Sequence, residues 1–381
     1  MTKFIMSKAW TEASLDEIAS IVRKTVSPDS ADSFYIGLEH IEKETLRLIN
    51  YGHSSDVTSQ KFAFQKNDIL FGKLRPYFRK VILTKFSGVC STDIWVIRAK
   101  EHVSQEFLFY LLSSWDFINV ASCSNTGTRM PRADWNFLAG TKWMIPSFTE
   151  QTAIASVLSS LDDKIDLLHR QNQTLEAMAE ALFRQWFVVE AKDDWVEGFI
   201  QDEFDLIMGQ SPPGSSLNSS GIGISMFQGN SDFTFRFPKD RIFTVKPMRF
   251  AEKFDTLISV RAPVGALNMA KNKCCIGRGL AAFNYKFNKT YYSYTYFKIK
   301  TLVDIFKEYN NEGTVFGAIT KADINLIKVT IPPLSEVTVI ENKIKFLNDK
   351  IIYNCFHSTI LEKIRDLLLP KLLNGELKII N

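Results

Sequence analysis

The sequence predicts an α+β chain of two pseudo-repeated mixed α/β lobes joined by two long antiparallel coiled-coil helices. Three observations lead there. A heptad seam of apolar residues occurs twice, the second copy standing 186 residues after the first. The segments ahead of each seam present strand, helix and glycine-loop signals in the same order. The positive charge of the chain lies in those segments and not in the seams.

The first seam runs through Ile154, Leu158, Leu161, Ile165, Leu168, Asn172, Leu175, Ala179, Leu182 and Trp186, in steps of four and three, which marks a helix that packs along a partner helix. The second runs through Ile340, Ile344, Leu347, Ile351, Asn354, Ser358, Leu361, Leu368 and Leu372. Their lead-ins match as well, Trp143-Met144-Ile145-Pro146 against Val329-Thr330-Ile331-Pro332. The chain therefore divides into a first lobe at 1–149, a helix at 150–190, a second lobe at 191–335, a helix at 336–376 and a tail at 377–381.

Within the first lobe, Ser14 to Arg23 has the spacing of a short amphipathic helix, and Phe34 to Leu38 and Lys66 to Phe71 read as strands. Val89 to Ile97 is a further strand, Glu106 to Ser114 a helix, and Asn125 to Pro131 a loop punctuated by glycine and proline. The second lobe repeats the order. Asp255 to Gly265 parallels Asp68 to Pro76, Cys274 to Phe283 parallels the strand at Val89, and Tyr294 to Phe306 parallels the helix. Gly313 follows Gly127 by the same 186 residues. The second lobe opens differently, on Gly209-Gln210-Ser211-Pro212-Pro213-Gly214.

A lobe's chain ends usually lie close together, so the second lobe brings the end of helix one beside the start of helix two, and the helices run antiparallel. About 41 residues at ~1.5 Å each make a rod of about 60 Å. With ends matched, Glu150 faces Glu376, Leu161 faces Arg365 and Asn172 faces Asn354. A buried amide pair of that kind fixes register.

Composition narrows the function. Hydrophobic content of 45% and charged content of 23% are those of a globular protein. No apolar run approaches a membrane span and no signal-peptide pattern stands at Met1 to Trp10, so the expected location is the cytoplasm. The five cysteines have no C-x-x-C spacing and read as reduced thiols, not a zinc site. Net charge is +4, yet residues 150–190 carry −4 and 336–376 carry zero, which leaves the lobes basic and hints at a polyanionic partner.

No phosphate-binding loop, H-E-x-x-H or G-x-S-x-G motif is present. Pro212-Pro213 and Pro332-Pro333 lack the preceding Asn/Asp and following aromatic of an amino-methyltransferase site. The expectation is a chain that catalyses nothing by itself and holds no metal or cofactor. What remains is recognition. Lys73, Arg75, Arg79 and Lys80 interleave with Tyr77 and Phe78, which suits phosphate contact with packing on sugar or base. Thr128 and Arg129 stand in the glycine loop, where backbone approaches DNA closely and a guanidinium can grip guanine. Arg261, Arg278 and Thr314 are the corresponding candidates in the second lobe. A solvated surface or an internal ion pair is the plain alternative for any one arginine.

Two variable lobes, each ending in Ile-Pro and a long heptad helix, with the Arg75-Pro76 and Arg261-Ala262-Pro263 strand ends and the Thr126-Gly127-Thr128-Arg129 loop, resemble the DNA-specificity subunit of type I restriction–modification enzymes. The resemblance implies that the lobes are target recognition domains, similar in fold to that of an adenine-N6 methyltransferase. Each would read one half of a bipartite, asymmetric site in double-stranded DNA. The helices would set the spacer and dock two modification subunits that bring S-adenosylmethionine. Restriction subunits with ATP- and Mg-dependent motors would complete the complex. The second loop, Glu312-Gly313-Thr314-Val315, departs from the first by lacking its arginine. A coiled-coil adaptor is the competing class, but it would not need basic lobes with paired glycine loops.

Overall fold

The computed structural model describes residues 10–26, 33–123, 130–192, 195–309 and 317–379. The chain forms two compact units, Met1–Asp166 with Thr359–Asn381, and Leu167–Ser358. Each holds one lobe with stretches of both long helices, Phe148–Arg184 and Leu334–Leu373.

In the first lobe an antiparallel sheet takes Ala19–Val22, Ile94–Ala99, Ile69–Gly72 and Val81–Leu83 in that spatial order. Side chains alternate across it with the period of two that a pleated strand imposes. Ile69, Phe71, Trp95 and Ile97 face a core shared with the helices Gln105–Ser113 and Trp115–Cys123. Leu70, Ile94 and Val96 face a smaller core with Ile36, Phe64 and Cys90. Those last three lie on a five-stranded sheet at 25–26, 61–64, 88–90, 34–36 and 52–53. A ribbon of Thr11–Ser14 and Lys142–Ile145 closes the lobe.

The second lobe repeats this plan. Its four-stranded sheet runs Phe204–Met208, Leu280–Tyr285, Thr256–Ser259, Leu267–Met269, again with Ile258, Ala281 and Phe283 on one face and Leu257, Leu280 and Ala282 on the other. Its ribbon pairs Val196–Phe199 with Lys328–Ile331, the latter 186 residues after Lys142–Ile145.

Several elements differ from their sequence expectation. Ser14 to Arg23 is helical only at Leu15–Ile18, because Ala19–Val22 takes an edge of the sheet beside Ile94–Ala99. The strands expected at Val89–Ile97 and Cys274–Phe283 each break into two, at Ser91–Asp93 and Gly277–Gly279, so that one half serves each sheet. Phe34 to Leu38 is extended only to Ile36, and the helix expected at Tyr294–Phe306 is two, Tyr292–Thr301 and Val303–Glu308.

The long helices run antiparallel within each unit. In the first, the Arg365 guanidinium donates to Asp162 at 2.8 Å, while Ile154, Leu158, Leu369 and Leu372 share one core. In the second, Asn172 Nδ2 reaches Cys355 Sγ at 3.3 Å and Trp186 Nε1 donates to Glu336 at 3.3 Å. Arg365 bonds Asp162, next in sequence to the expected Leu161, and Asn172 bonds Cys355, next to the expected Asn354. The asparagines make no amide–amide bond: Asn172 Oδ1 and both polar atoms of Asn354 are buried without a hydrogen-bond partner. The seam also drifts. After Asn172 the buried positions are Glu176, Ala179 and Phe183, while Leu182 is 43% exposed. A straight helix of 3.6 residues per turn slips about 20° per heptad, so a strict heptad reading loses the buried face after two or three repeats.

Each lobe's main helix is tied to a long helix at its N-terminal end. In the first lobe Gln151 Oε1 accepts from Ser104 N at 2.8 Å. In the second, a Glu341 oxygen accepts from Tyr294 N at 2.6 Å, with its other oxygen unpartnered. Burial pushes the Glu341 carboxyl up to about 7, against the opposing pull of the Tyr294 N–H and the Lys345 ammonium. An unfolded glutamate releases its proton near 4.5. The contribution to stability is therefore whole below 4.5 and is lost as pH rises through 7.

Glu341→Gln keeps the acceptor and removes the charge, so its melting temperature should exceed that of the wild type at pH 8, with the gap closing at pH 5. An equal gap at both pH values would contradict this account. Asn354→Leu removes two unpartnered polar atoms from a fully buried position and should raise stability by about 1–3 kcal/mol in urea denaturation; a loss would mean the amide is satisfied in solution.

Candidate nucleic-acid interface

The basic stretch of the first lobe begins where Ile69–Gly72 leaves the sheet. Lys73 N donates to Asp93 O at 3.0 Å, and Leu74 bridges to Arg132. Arg75 N donates to Pro131 O at 2.8 Å, which sets the stretch beside the end of the glycine loop. A single 3-10 turn, Pro76–Phe78, follows, flanked by Arg75 and Arg79 in left-handed backbone with φ of 51° and 49°. Two left-handed residues around a tight turn reverse the chain twice, so neighbouring basic side chains leave in different directions.

The result sorts the candidates. Arg75 and Lys73 are half-buried, and neither makes a side-chain hydrogen bond or ion pair with the described residues. Tyr77 is 44% exposed and packs edge-on against Phe78. Arg79 is not at the surface. It is 1% exposed, donates to Ser113 O at 2.6 Å and to Asp366 at 3.3 Å, and lies 5.1 Å from the Trp115 ring. Burial pulls its basicity down and Asp366 pulls it back up. Lys80 also turns inward, with its ammonium on Leu38 O and its basicity lowered chiefly by burial. The expected phosphate contact at Arg79 is replaced by an internal tie, and that at Lys80 by a capped carbonyl. Thr128, Arg129 and Thr314 lie outside the described residues.

Two cations missed in the sequence reading join the exposed set. Arg132 contacts Asp93 at 3.2 Å while half its side chain stays in solvent, and Lys43 lies 4.2 Å over the Phe78 ring. Arg132 had a signal, since it directly follows the glycine loop; Lys43 had none.

In the second lobe Arg261 lies two residues beyond the strand Thr256–Ser259, bridges to Ala318 and is exposed. It is the structural counterpart of the Leu74–Arg75 strand end. Arg278 is exposed at the tip of the Gly277–Gly279 turn, with its N–H 3.3 Å from Ser211 Oγ. That turn corresponds to Ser91–Asp93 of the first lobe, so Arg278 is the analogue of Thr92 and not of Arg129. Guanidinium, ammonium and phenol groups on exposed turns suit a phosphate backbone and base edges. Among the described residues no group of His, Cys, Asp and Glu side chains is arranged to hold a metal, and no helix is long and apolar enough to cross a membrane.

Comparison with known proteins gives a consistent result. The family model for the type I restriction modification DNA specificity domain matches twice, at residues 7–177 and 192–365. A candidate type I restriction enzyme specificity subunit of Methanocaldococcus jannaschii, MjaX, is 28% identical over 97% of this chain and 94% of its own. The type I restriction enzyme HindI specificity subunit of Haemophilus influenzae is 24% identical over 97% of this chain and 99% of its own. The S subunit of the M. genitalium type I restriction–modification system shares the fold, with a TM-score of 0.58 at 16% identity over 97% of both chains.

Arg75→Ala should leave stability within about 0.5 kcal/mol and weaken DNA binding while flattening its salt dependence. Arg79→Met should instead cost about 2 kcal/mol in urea denaturation, since it leaves the buried Ser113 carbonyl without its donor and removes one of the two guanidinium groups on Asp366. Unchanged affinity and salt slope in Arg75→Ala would mean the wrong face of the lobe has been chosen.

Proposed function

The chain belongs to the family of type I restriction–modification DNA specificity subunits, and we propose that each lobe reads one half of a bipartite, asymmetric site in double-stranded DNA. One observation carries this reading: the same four-stranded sheet, split strand and closing ribbon occur in both lobes, with different side chains at equivalent exposed turns. A repeated scaffold with unlike tips is what reading two different half-sites requires. Lys73, Arg75, Tyr77 and Arg132 in the first lobe and Arg261 and Arg278 in the second are the residues we assign to the DNA face, with Thr128, Arg129 and Thr314 from the glycine loops.

The helices, on this reading, set the spacer and dock two modification subunits. Outward apolar residues support the docking. The second unit exposes Val339, Phe346 and Tyr353 on the second helix, with Phe346 74% exposed. The first unit exposes Ile360, Ile364 and Leu367 on the same helix, with Leu367 66% exposed. Within the second unit Val339, Phe346 and Tyr353 follow one another at intervals of seven, as do Ile360 and Leu367 within the first, the spacing of a face that takes another helix. S-adenosylmethionine, ATP and Mg belong to the partners, the modification and restriction subunits, and the chain itself is non-catalytic.

Replacing residues 1–149 with the lobe of a relative, in a complex with the modification subunits, should change one half of the methylated site and leave the other intact when methyladenine is mapped at base resolution. A change in both halves would sink independent reading. The purified chain alone should neither consume S-adenosylmethionine nor cut DNA.

A further inference from the structure

The two lobes differ most informatively at one corner. In the second, the strand Ile224–Phe227 runs parallel to Cys274–Ile276, and Gly277 N donates to Phe227 O at 2.8 Å. In the first, Phe34–Ile36 runs parallel to Gly88–Cys90, and Ser91 N donates to Ile36 O at 2.9 Å. Superposed by these hydrogen bonds, Gln228 corresponds to Gly37, Arg278 to Thr92 and Gly279 to Asp93. Residues that the shared fold needs should recur at this corner. Gln228 and Arg278 do not recur, and both are exposed.

The corner is built around Gln228. A Cβ at Gly209 would stand 2.1 Å from Gly277 O, one at Gly277 would stand 2.5 Å from Gln228 Oε1, and one at Gly279 would stand 2.4 Å from Gln228 O. Glycine at 209 and 279 lets backbone approach this closely, and the amide of Gln228 packs over Gly277. Ser211 Oγ lies 3.0 Å from Gln228 Oε1 and 2.8 Å from its Nε2. The hydroxyl thus covers both the acceptor and the donor of the amide in the free lobe. A rotation about one bond of Ser211 uncovers them.

We propose that Gln228 is a base-reading residue of the second lobe, addressing the major-groove edge of an adenine beside the base that Arg278 addresses. An amide presents one acceptor and one donor side by side, which matches the N6 donor and N7 acceptor of adenine and no other base in the same way. The glycine-packed corner lets the backbone come near DNA and fixes where the amide points. This assignment rests on the DNA-reading function of the lobe.

The test uses the full chain assembled with its modification subunits, with methyladenine mapped at base resolution. Gln228→Ala should lose about tenfold to hundredfold discrimination at one A·T position of one half-site and leave the other half untouched. Gln228→Glu, close in shape but acceptor only, should shift preference at that position toward cytosine, whose N4 is a donor; this variant guards against a folding defect in the first. A wild-type site that survives both substitutions with unchanged stringency overturns the role of Gln228 alone. Relaxation spread over every position also overturns it, since that marks general weakening. A wild-type complex that methylates no defined sequence overturns the DNA-reading function and Gln228 with it.

Discussion

Buried charge ties each lobe to the long helices, and the precision of everything else depends on those ties. In the first unit Asp162 accepts from Arg365 and from Tyr110 Oη, both at 2.8 Å, while Arg79 reaches from the lobe to Asp366. In the second, Arg236 is wholly buried, donates to Glu176 at 2.6 Å and lies 3.9 Å over the Tyr296 ring, while Lys300 contacts both Glu176 and Glu180. Apolar packing is strong but without direction. A guanidinium facing a carboxylate is directional, and once desolvated it has no acceptable alternative partner. The apolar cores hold each lobe on its helices; the ion pairs set the angle at which it sits.

That angle matters because base reading tolerates little slack. A contact that discriminates bases depends on two hydrogen bonds made together, and a side chain displaced by an ångström makes neither well. Turns whose tips are exposed and whose bases are pinned by backbone hydrogen bonds, as at Tyr77 and Arg278, satisfy this need. Here exposed side chains are carried on rigid corners rather than on long loops.

The sequence revealed the architecture and misplaced some of its parts. Two lobes and two long helices were legible because heptads and a constant offset survive any local detail. The asparagines expected to satisfy each other do not, since which side-chain atoms meet across a helix pair is not written in the heptad. Leu182 looked buried and Phe183 took its place, because helical drift accumulates with length. In the candidate site, Arg79 was indistinguishable from Arg75 by composition; what separates them is a pair of left-handed residues around Pro76–Phe78, which no pattern of basic and aromatic residues encodes. Gln228 was invisible for a related reason: its setting is assembled from Gly209 and the Gly277–Gly279 turn, both distant from it in sequence. Where a residue's role was written in periodicity, the sequence was a sound guide, and where it was written in tertiary contact it was not.

The division of the chain into units bears on how it is made. The second unit is one continuous stretch, Leu167–Ser358, whereas the first combines Met1–Asp166 with Thr359–Asn381. During synthesis the second unit has all its parts as soon as Ser358 has left the ribosome. The first lobe, although translated earlier, must wait without the ionic partners of Arg79 and Asp162 until Arg365 and Asp366 arrive. A nascent chain therefore completes its later-translated unit first, and carries an unfinished first lobe through most of translation. Termination between Ser358 and Arg365 would leave the second unit whole and the first without its electrostatic closure.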